Sequence, residues 1–263
     1  MDYKIKGKVA LVGGGSKGIG RAIAHALARE GARVAICARD EAAVKETAEA
    51  IREQTGSEVA GFQADLANGD DVYRVLDGTW SRLGEIDILV TNTGGPRPGR
   101  FGDLEGEDWD QAFELLVRST IRLIRGVLPS MKERKWGRII GITSVSVKEP
   151  IEYLMLSNVY RSGITSLFKS LATEIAEFGI TANTVLPGLT DTERLRSLYA
   201  AQAKAAGVTT EAFIEKVAKG TPRKQLNRPE ELADLVAFLS SEAASGITGC
   251  AIPADGGQLK GLM

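Results

Sequence analysis

The chain has 263 residues, 43% of them hydrophobic and 25% charged, with a formal net charge of −1. That balance is the balance of an ordinary soluble protein, and the near-zero charge creates no field that favours nucleic acid or an anionic membrane. No apolar run approaches the ~20 residues of a membrane helix, and the two cysteines, Cys37 and Cys250, sit in apolar runs as small core residues of a protein from a reducing compartment would.

From the N-terminus, MDYKIKGKVALV has neither the long apolar stretch nor the small-residue cleavage site of a secretory signal, so a cytoplasmic protein is expected. Short runs rich in Val and Ile, bounded by Gly, Asp or Pro, predict strands over 9–12, 33–37, 58–63, 86–91, 138–143, 181–186 and 249–252. Longer amphipathic stretches predict helices over 18–30, 41–54, 69–82, 108–133, 153–178 and 229–240. The strand runs are apolar throughout, which suits parallel strands covered on both faces. The alternation implies one domain over 1–263: a doubly wound α/β fold of Rossmann type, with about seven parallel strands and helices on both faces. Residues 189–228 break the rhythm after Pro187-Gly188. They read as short helices inserted at the carboxyl end of a strand, where ligands bind in such sheets, and so as a lid or as two packed surface helices.

The strongest motif is Leu11-Val12-Gly13-Gly14-Gly15-Ser16-Lys17-Gly18-Ile19-Gly20, between the first strand and the first helix. Glycines let the backbone turn tightly and approach a pyrophosphate, and the helix N-terminus offers free N–H groups to it. The strand–loop–helix context is what gives a glycine cluster this meaning.

The spacing GxxxGxG through Gly14, Gly18 and Gly20 resembles the short-chain dehydrogenase/reductase family, in particular the bacterial 3-oxoacyl-carrier-protein reductases. The likeness continues through Asp65-Leu66, Thr91-Asn92-Thr93-Gly94, Pro187-Gly188 with Thr190, Ile247-Thr248-Gly249 and Asp255-Gly256-Gly257. It implies a nicotinamide dinucleotide held by Gly14, Ser16, Lys17, Gly18, Ile19, Gly20, Arg39, Asp65, Leu66, Asn92, Gly94, Arg161, Pro187, Gly188 and Thr190. Where the second strand ends, an NAD site carries an acidic side chain for the ribose 2′-OH; here the position is Ala38, followed by Arg39. With Lys17 nearby, two cations flank the ribose and favour NADP, with NAD as the alternative. Asp40 reads as a helix cap.

The resemblance also implies a catalytic Ser, Tyr, Lys and Asn. Ser144 matches the Ser. The register carries the Tyr position onto Ser157, the Lys position onto Arg161 and the Asn position onto Leu116. A serine hydroxyl is a far weaker acid than a phenol, Arg161 keeps its charge but does not shuttle protons, and Leu116 offers no polar side chain. Tyr153, one turn before Ser157 on the predicted helix, and Lys148 are candidate replacements, while Tyr160, Glu152 and His25 read as structural. Arg97 and Arg100, in the Gly/Pro loop after the fourth strand, read either as receptors for an anionic substrate group or as solvated charges. No metal site is expected.

Two functions remain open at this stage. One is an NADP-dependent oxidoreductase acting on a small molecule through a non-standard active site. The other is a catalytically silent dinucleotide-binding protein. By resemblance, and from the apolar residues Leu115, Leu116, Ile121, Leu123, Leu167, Phe168, Leu171 and Ile175, a homo-oligomer, a tetramer, is expected.

Overall fold

A computed structural model describes residues 2–261. Seven strands, β1 (Val9–Gly13), β2 (Arg33–Ala38), β3 (Val59–Gln63), β4 (Ile88–Thr91), β5 (Gly137–Ile142), β6 (Ile180–Pro187) and β7 (Ala251–Ala254), form one sheet in the order β3-β2-β1-β4-β5-β6-β7. Every neighbouring pair is parallel. The chain winds outward from β1 to β3, then crosses back to lay β4 on the other side of β1. That reversal opens a crevice at the carboxyl ends of β1 and β4, the place where open α/β sheets bind ligands.

The helices are α1 (Gly18–Arg29), α2 (Glu41–Thr55), α3 (Gly69–Leu83), α4 (Gly106–Ala112), α5 (Ser119–Arg134), α6 (Met155–Ile175), α7 (Glu193–Ala205), α8 (Thr210–Lys219) and α9 (Pro229–Leu239). One face of the sheet is covered by α1, α2 and α9 through Ile23, Leu27, Ile51, Leu232 and Val236. The other is covered by α3, α5 and α6 through Leu76, Leu123, Val127, Phe168 and Ile175. Burial on both faces is why the strands are apolar without alternation. Local signals set several ends. The Asp40 side chain accepts from Ala43 N–H (3.0 Å) and caps α2, which stops at Gly56 in the left-handed region (φ 70°).

Three expected elements differ. The helix predicted over 108–133 is α4, a π-helical segment Phe113–Arg118, and α5. The Ser119 hydroxyl donates to the Leu115 carbonyl (2.5 Å) and the Thr120 hydroxyl to the Leu116 carbonyl (2.8 Å), so side chains serve carbonyls within the widened turns. Apolar spacing cannot reveal such a turn, because the apolar face is rotated rather than lost.

The helix predicted over 153–178 begins later, at Met155, and leaves Tyr153 outside it in the left-handed region (φ 62°). There the chain is fastened to the loop after β4: Gly99 N–H donates to the Tyr153 carbonyl (2.6 Å) and Met155 N–H to the Gly99 carbonyl (3.3 Å).

The last strand falls on Ala251–Ala254 rather than 249–252. Cys250 therefore precedes it and is exposed, contrary to its expected place in the core. Cys37 is buried in β2, and burial pushes its thiol up to about 12. The interval 189–228 does hold two short helices, α7 and α8, joined through the rings of Tyr199 and Phe213 (5.4 Å between centroids). No helix among the described residues is long and apolar enough to cross a membrane.

Candidate functional site

The glycine loop leaves β1 at the crevice and enters α1, whose N-terminus no side chain caps. A Cβ on Gly20 would lie 2.2 Å from the Gly14 carbonyl oxygen, and one on Gly13 would lie 2.4 Å from the Asn92 carbonyl oxygen. Gly14 and Gly18 adopt φ of 58° and 54°. Only glycine satisfies these contacts and angles together. Asn92 braces the loop from the end of β4, its Nδ2 donating to the Gly13 carbonyl (2.9 Å). The result is a side-chain-free cradle at a helix N-terminus, which fits the pyrophosphate of a dinucleotide.

The end of β2 flanks the glycine loop, where Gly15 N–H donates to the Cys37 carbonyl (3.1 Å). Ala38 ends that strand without a carboxylate, and the Asp40 carboxylate is committed to capping α2. Arg39 is exposed, with no carboxylate partner among the described residues. Lys17, its expected companion, instead pairs with Glu193 at the start of α7 (3.0 Å), both side chains well exposed. Asp65 accepts from Ala67 N–H (3.0 Å) and Leu66 is buried. Gly94 has open space where a Cβ would be. Gly188 passes close to Asp255: an added Cβ would lie 2.7 Å from the Asp255 Cα.

Thr190 is buried, its hydroxyl donating to the Gly188 carbonyl (3.0 Å). The threonine that meets the glycine loop is Thr192, whose Cγ2 would lie 3.3 Å from a Cβ on Gly18. Thr192 also caps α7 by accepting from Leu195 N–H (3.2 Å). Sequence reading missed this residue. The available signal was that a threonine before Glu193 makes a helix cap, and a cap faces the end of the neighbouring loop.

Across the crevice, Ser157 and Arg161 of α6 meet the carboxyl end of β5, which Ser144 follows in the chain. Ser144 follows the strand and accepts from Ser146 N–H (3.0 Å), which leaves its own proton free to donate. Arg161 lies one helical turn after Ser157, so both project from the same face of α6. Its Nε donates to Ser157 Oγ (2.9 Å), and its Nη1 donates to the carbonyls of Ile142 (2.9 Å) and Thr143 (3.2 Å). Its Nη2 has no partner among the described residues. Burial, and then the nearby charge of Arg194, lower its pKa to about 10. It is still a cation at neutral pH.

The proposed substitutes do not join this cluster. Tyr153 lies before α6 and is 45% exposed, with the Arg100 guanidinium 4.4 Å above its ring. Lys148 is exposed. Tyr160 donates to the Trp109 carbonyl (3.1 Å) and packs against Trp109 and Phe113, a structural role. Burial, then the charge of Asp110, raises its pKa. Leu116 is 1% exposed and belongs to the core. Arg97 and Arg100 are already neutralised, the first by Asp108 (2.5 Å) and the second by Glu152. Arg194 of α7, which pairs with no carboxylate among the described residues, reaches the loop after β4 and donates to the Pro96 carbonyl (3.0 Å).

A parallel sheet with this strand order, a glycine cradle at its crevice and a Ser-bearing cluster beyond β5 define a dinucleotide-binding oxidoreductase, and the chain belongs to the short-chain dehydrogenase/reductase family. Residues 14–258 match the family described as Enoyl-(Acyl carrier protein) reductase. The oxidoreductase YvrD of Bacillus subtilis is 35% identical over 267 residues, spanning 100% of both chains. The 3-oxoacyl-[acyl-carrier-protein] reductase FabG of Escherichia coli is 34% identical over 252 residues, 96% of this chain and 97% of that one. The crystal structure of L-sorbose reductase from Gluconobacter frateurii, complexed with NADPH and L-sorbose, superposes with a TM-score of 0.95 at 36% identity, covering 100% of both chains.

Proposed function

We propose that this protein is an NADP-dependent oxidoreductase that interconverts a small carbonyl compound and its alcohol, with Ser157 and Arg161 standing where its family carries Tyr and Lys. The observation that carries the reading is the Arg161 guanidinium, fastened by three hydrogen bonds beside Ser144 and with Nη2 unpartnered. NADPH supplies the hydride when bound. Arg161 would hold the nicotinamide ribose. Ser144 donates to the substrate oxygen. Ser157 takes its hydrogen bond from Arg161, so its proton is free to turn towards the same oxygen. Neither hydroxyl matches the acidity of a phenol, whose pKa is about 10, so proton delivery is the slow part. Arg39, with no carboxylate at Ala38 and with Asp40 committed to a cap, favours the 2′-phosphate, and the NADPH held by the sorbose reductase supports the choice.

The whole chain acts as one dinucleotide-binding domain, with residues 189–228 as its lid. It assembles as a homo-tetramer on resemblance to its family. The apolar argument for that assembly rests on Leu115, Ile121 and Leu167, which remain half-exposed, because Leu116, Leu123, Phe168, Leu171 and Ile175 are used up inside the subunit's own core. The second reading, a silent dinucleotide-binding protein, is favoured by Leu116: its side chain is in the core and its carbonyl is taken by Thr120, so the proton relay ends there.

The double variant Ser157→Tyr with Arg161→Lys tests the assignment. A phenol at the proton-donor position should raise the reduction of simple ketones by about 10²–10⁴-fold, the usual range for general acid catalysis. A wild type that already matches the double variant, and that loses its activity as Tyr153→Phe, would overturn it.

A further inference from the structure

At the carboxyl edge of the sheet stand two guanidinium groups that no carboxylate among the described residues pairs with. Arg194 lies in the first turn of α7 and lays its guanidinium over Gly95. A Cβ on Gly95 would lie 2.2 Å from Nη2 and 2.4 Å from Cζ, so the missing side chain is what admits the group. Nη2 is fixed by the Pro96 carbonyl (3.0 Å). β4 and β5 are neighbours, with Thr91 opposite Gly141. The loop beneath Arg194 and the carbonyls of Ile142 and Thr143 that hold Arg161 therefore leave the same edge of the sheet side by side.

Among the described residues neither guanidinium pairs with a carboxylate, whereas Arg97, Arg100 and Arg196 around them all do. Desolvation lowers the pKa of Arg194, and desolvation, then the charge of Arg194, lowers that of Arg161. Two like charges set together in this way are relieved by an anion between them. The cofactor phosphates are provided for elsewhere, at the glycine cradle on the β1 side, towards which the neighbouring Glu193 reaches to pair with Lys17 (3.0 Å). The first turn of α7 thus spans the crevice, with Glu193 on the phosphate side and Arg194 on the substrate side.

Resting on the oxidoreductase reading above, we infer that Arg194, backed by Arg161, receives a carboxylate of the substrate, which makes the substrate class short-chain oxo acids and their hydroxy acids. Reduction would take a hydride supplied by bound NADPH onto the carbonyl carbon and one proton onto the carbonyl oxygen, passed by the Ser144 and Ser157 hydroxyls and replaced from solvent, with the carboxylate unchanged.

The test is calorimetry on the full-length protein loaded with NADPH, which cannot react with a hydroxy acid. The probes are 2-hydroxybutanoate and 3-hydroxybutanoate, each compared with its neutral methyl ester. At least one acid should bind about tenfold or more tightly than its ester, the worth of a charge-assisted hydrogen bond. Arg194→Gln should remove that preference while NADPH affinity is kept. Arg194→Lys should restore part of it. Gly95→Ala, which keeps the charge but displaces the guanidinium, should also reduce it. Acids and esters that bind alike in the wild type would overturn the inference, as would an Arg194→Gln protein that loses NADPH as strongly as acid, since the cation would then belong to the cofactor. If NADPH binds and neutral ketones are reduced while acids neither bind nor react, this inference falls and the oxidoreductase reading stands. If NADPH does not bind, both fall.

Discussion

Replacing Arg161 by Met separates what its guanidinium costs the fold from what it does for the cofactor. Burial moves the group from an ordinary pKa of 12.5 to about 10, which disfavours the cation at pH 7 by about 3 kcal/mol. Against this stand its bonds to Ser157 Oγ and to the Ile142 and Thr143 carbonyls, worth about 1.5–3 kcal/mol each because the donor is charged, or at least about 4.5 kcal/mol in all. The bonds outweigh the burial by at least about 1.5 kcal/mol, and Met, which fills much of the same volume, restores none of them. The midpoint of thermal unfolding, followed by intrinsic fluorescence, should therefore fall by at least about 3 °C, since 1 kcal/mol corresponds to roughly 2–4 °C in a chain of this size.

The pH dependence has a definite sign. The native state releases this proton before the unfolded state does, so the wild type gains stability as pH rises through about 10 towards 12.5, and the variant lacks that gain. The wild-type Tm should rise relative to the variant's between pH 9 and 10.5. Cofactor binding should weaken as well: loss of the ribose contacts should raise the NADPH dissociation constant by about tenfold or more, read from nicotinamide fluorescence. Unchanged NADPH affinity would show that Arg161 does not serve the cofactor. A Tm that does not fall would show that the three bonds do not hold the fold.

Wild-type protein should bind NADPH more tightly than NADH, and Arg39→Asp should reverse the order; equal affinities in calorimetry would remove Arg39 from the site. Gly20→Ala places a Cβ 2.2 Å from the Gly14 carbonyl oxygen, backbone that cannot yield without deforming the loop, and 2.9 Å from the side-chain Nδ2 of Asn92. It should abolish cofactor binding and destabilise by about 1–3 kcal/mol, and normal NADPH affinity in this variant would refute the cradle. Arg97→Ala removes only an exposed ion pair and should change stability by less than about 1 kcal/mol and leave NADPH affinity as it was. Light scattering should give four times the 28.1 kDa of one chain, and a monomer at micromolar concentration would count against the assembly.

The glycine loop, the Asp40 cap and the pairing of Ser157 with Arg161 were all legible in the sequence. Each depends on residues a few positions apart, whose relation follows from strand and helix geometry. The π-helical turns were not legible, because one extra residue per turn preserves the apolar composition of the segment. Tyr153 was misplaced on α6 because its hydrophobic neighbours continue the helical period. What stops the helix is a distant partner, the Gly99 backbone, which fastens Tyr153 in the left-handed region.

By itself the sequence determined the sheet, its parallel sense and the place of the phosphates, since apolar runs, their spacing and glycines at a strand–helix junction act through local geometry and burial. Only the tertiary structure decided which charges are available. Arg97 and Arg100 read as candidate anion receptors until Asp108 and Glu152 are seen beside them, and Arg194 reads as an ordinary helix cation until Gly95 is found beneath it. A charge is spent or free according to what stands within a few ångströms of it, and Arg100 and Glu152, or Arg194 and Gly95, lie far apart in the chain until the sheet brings the loop after β4, the start of α6 and the start of α7 to one edge.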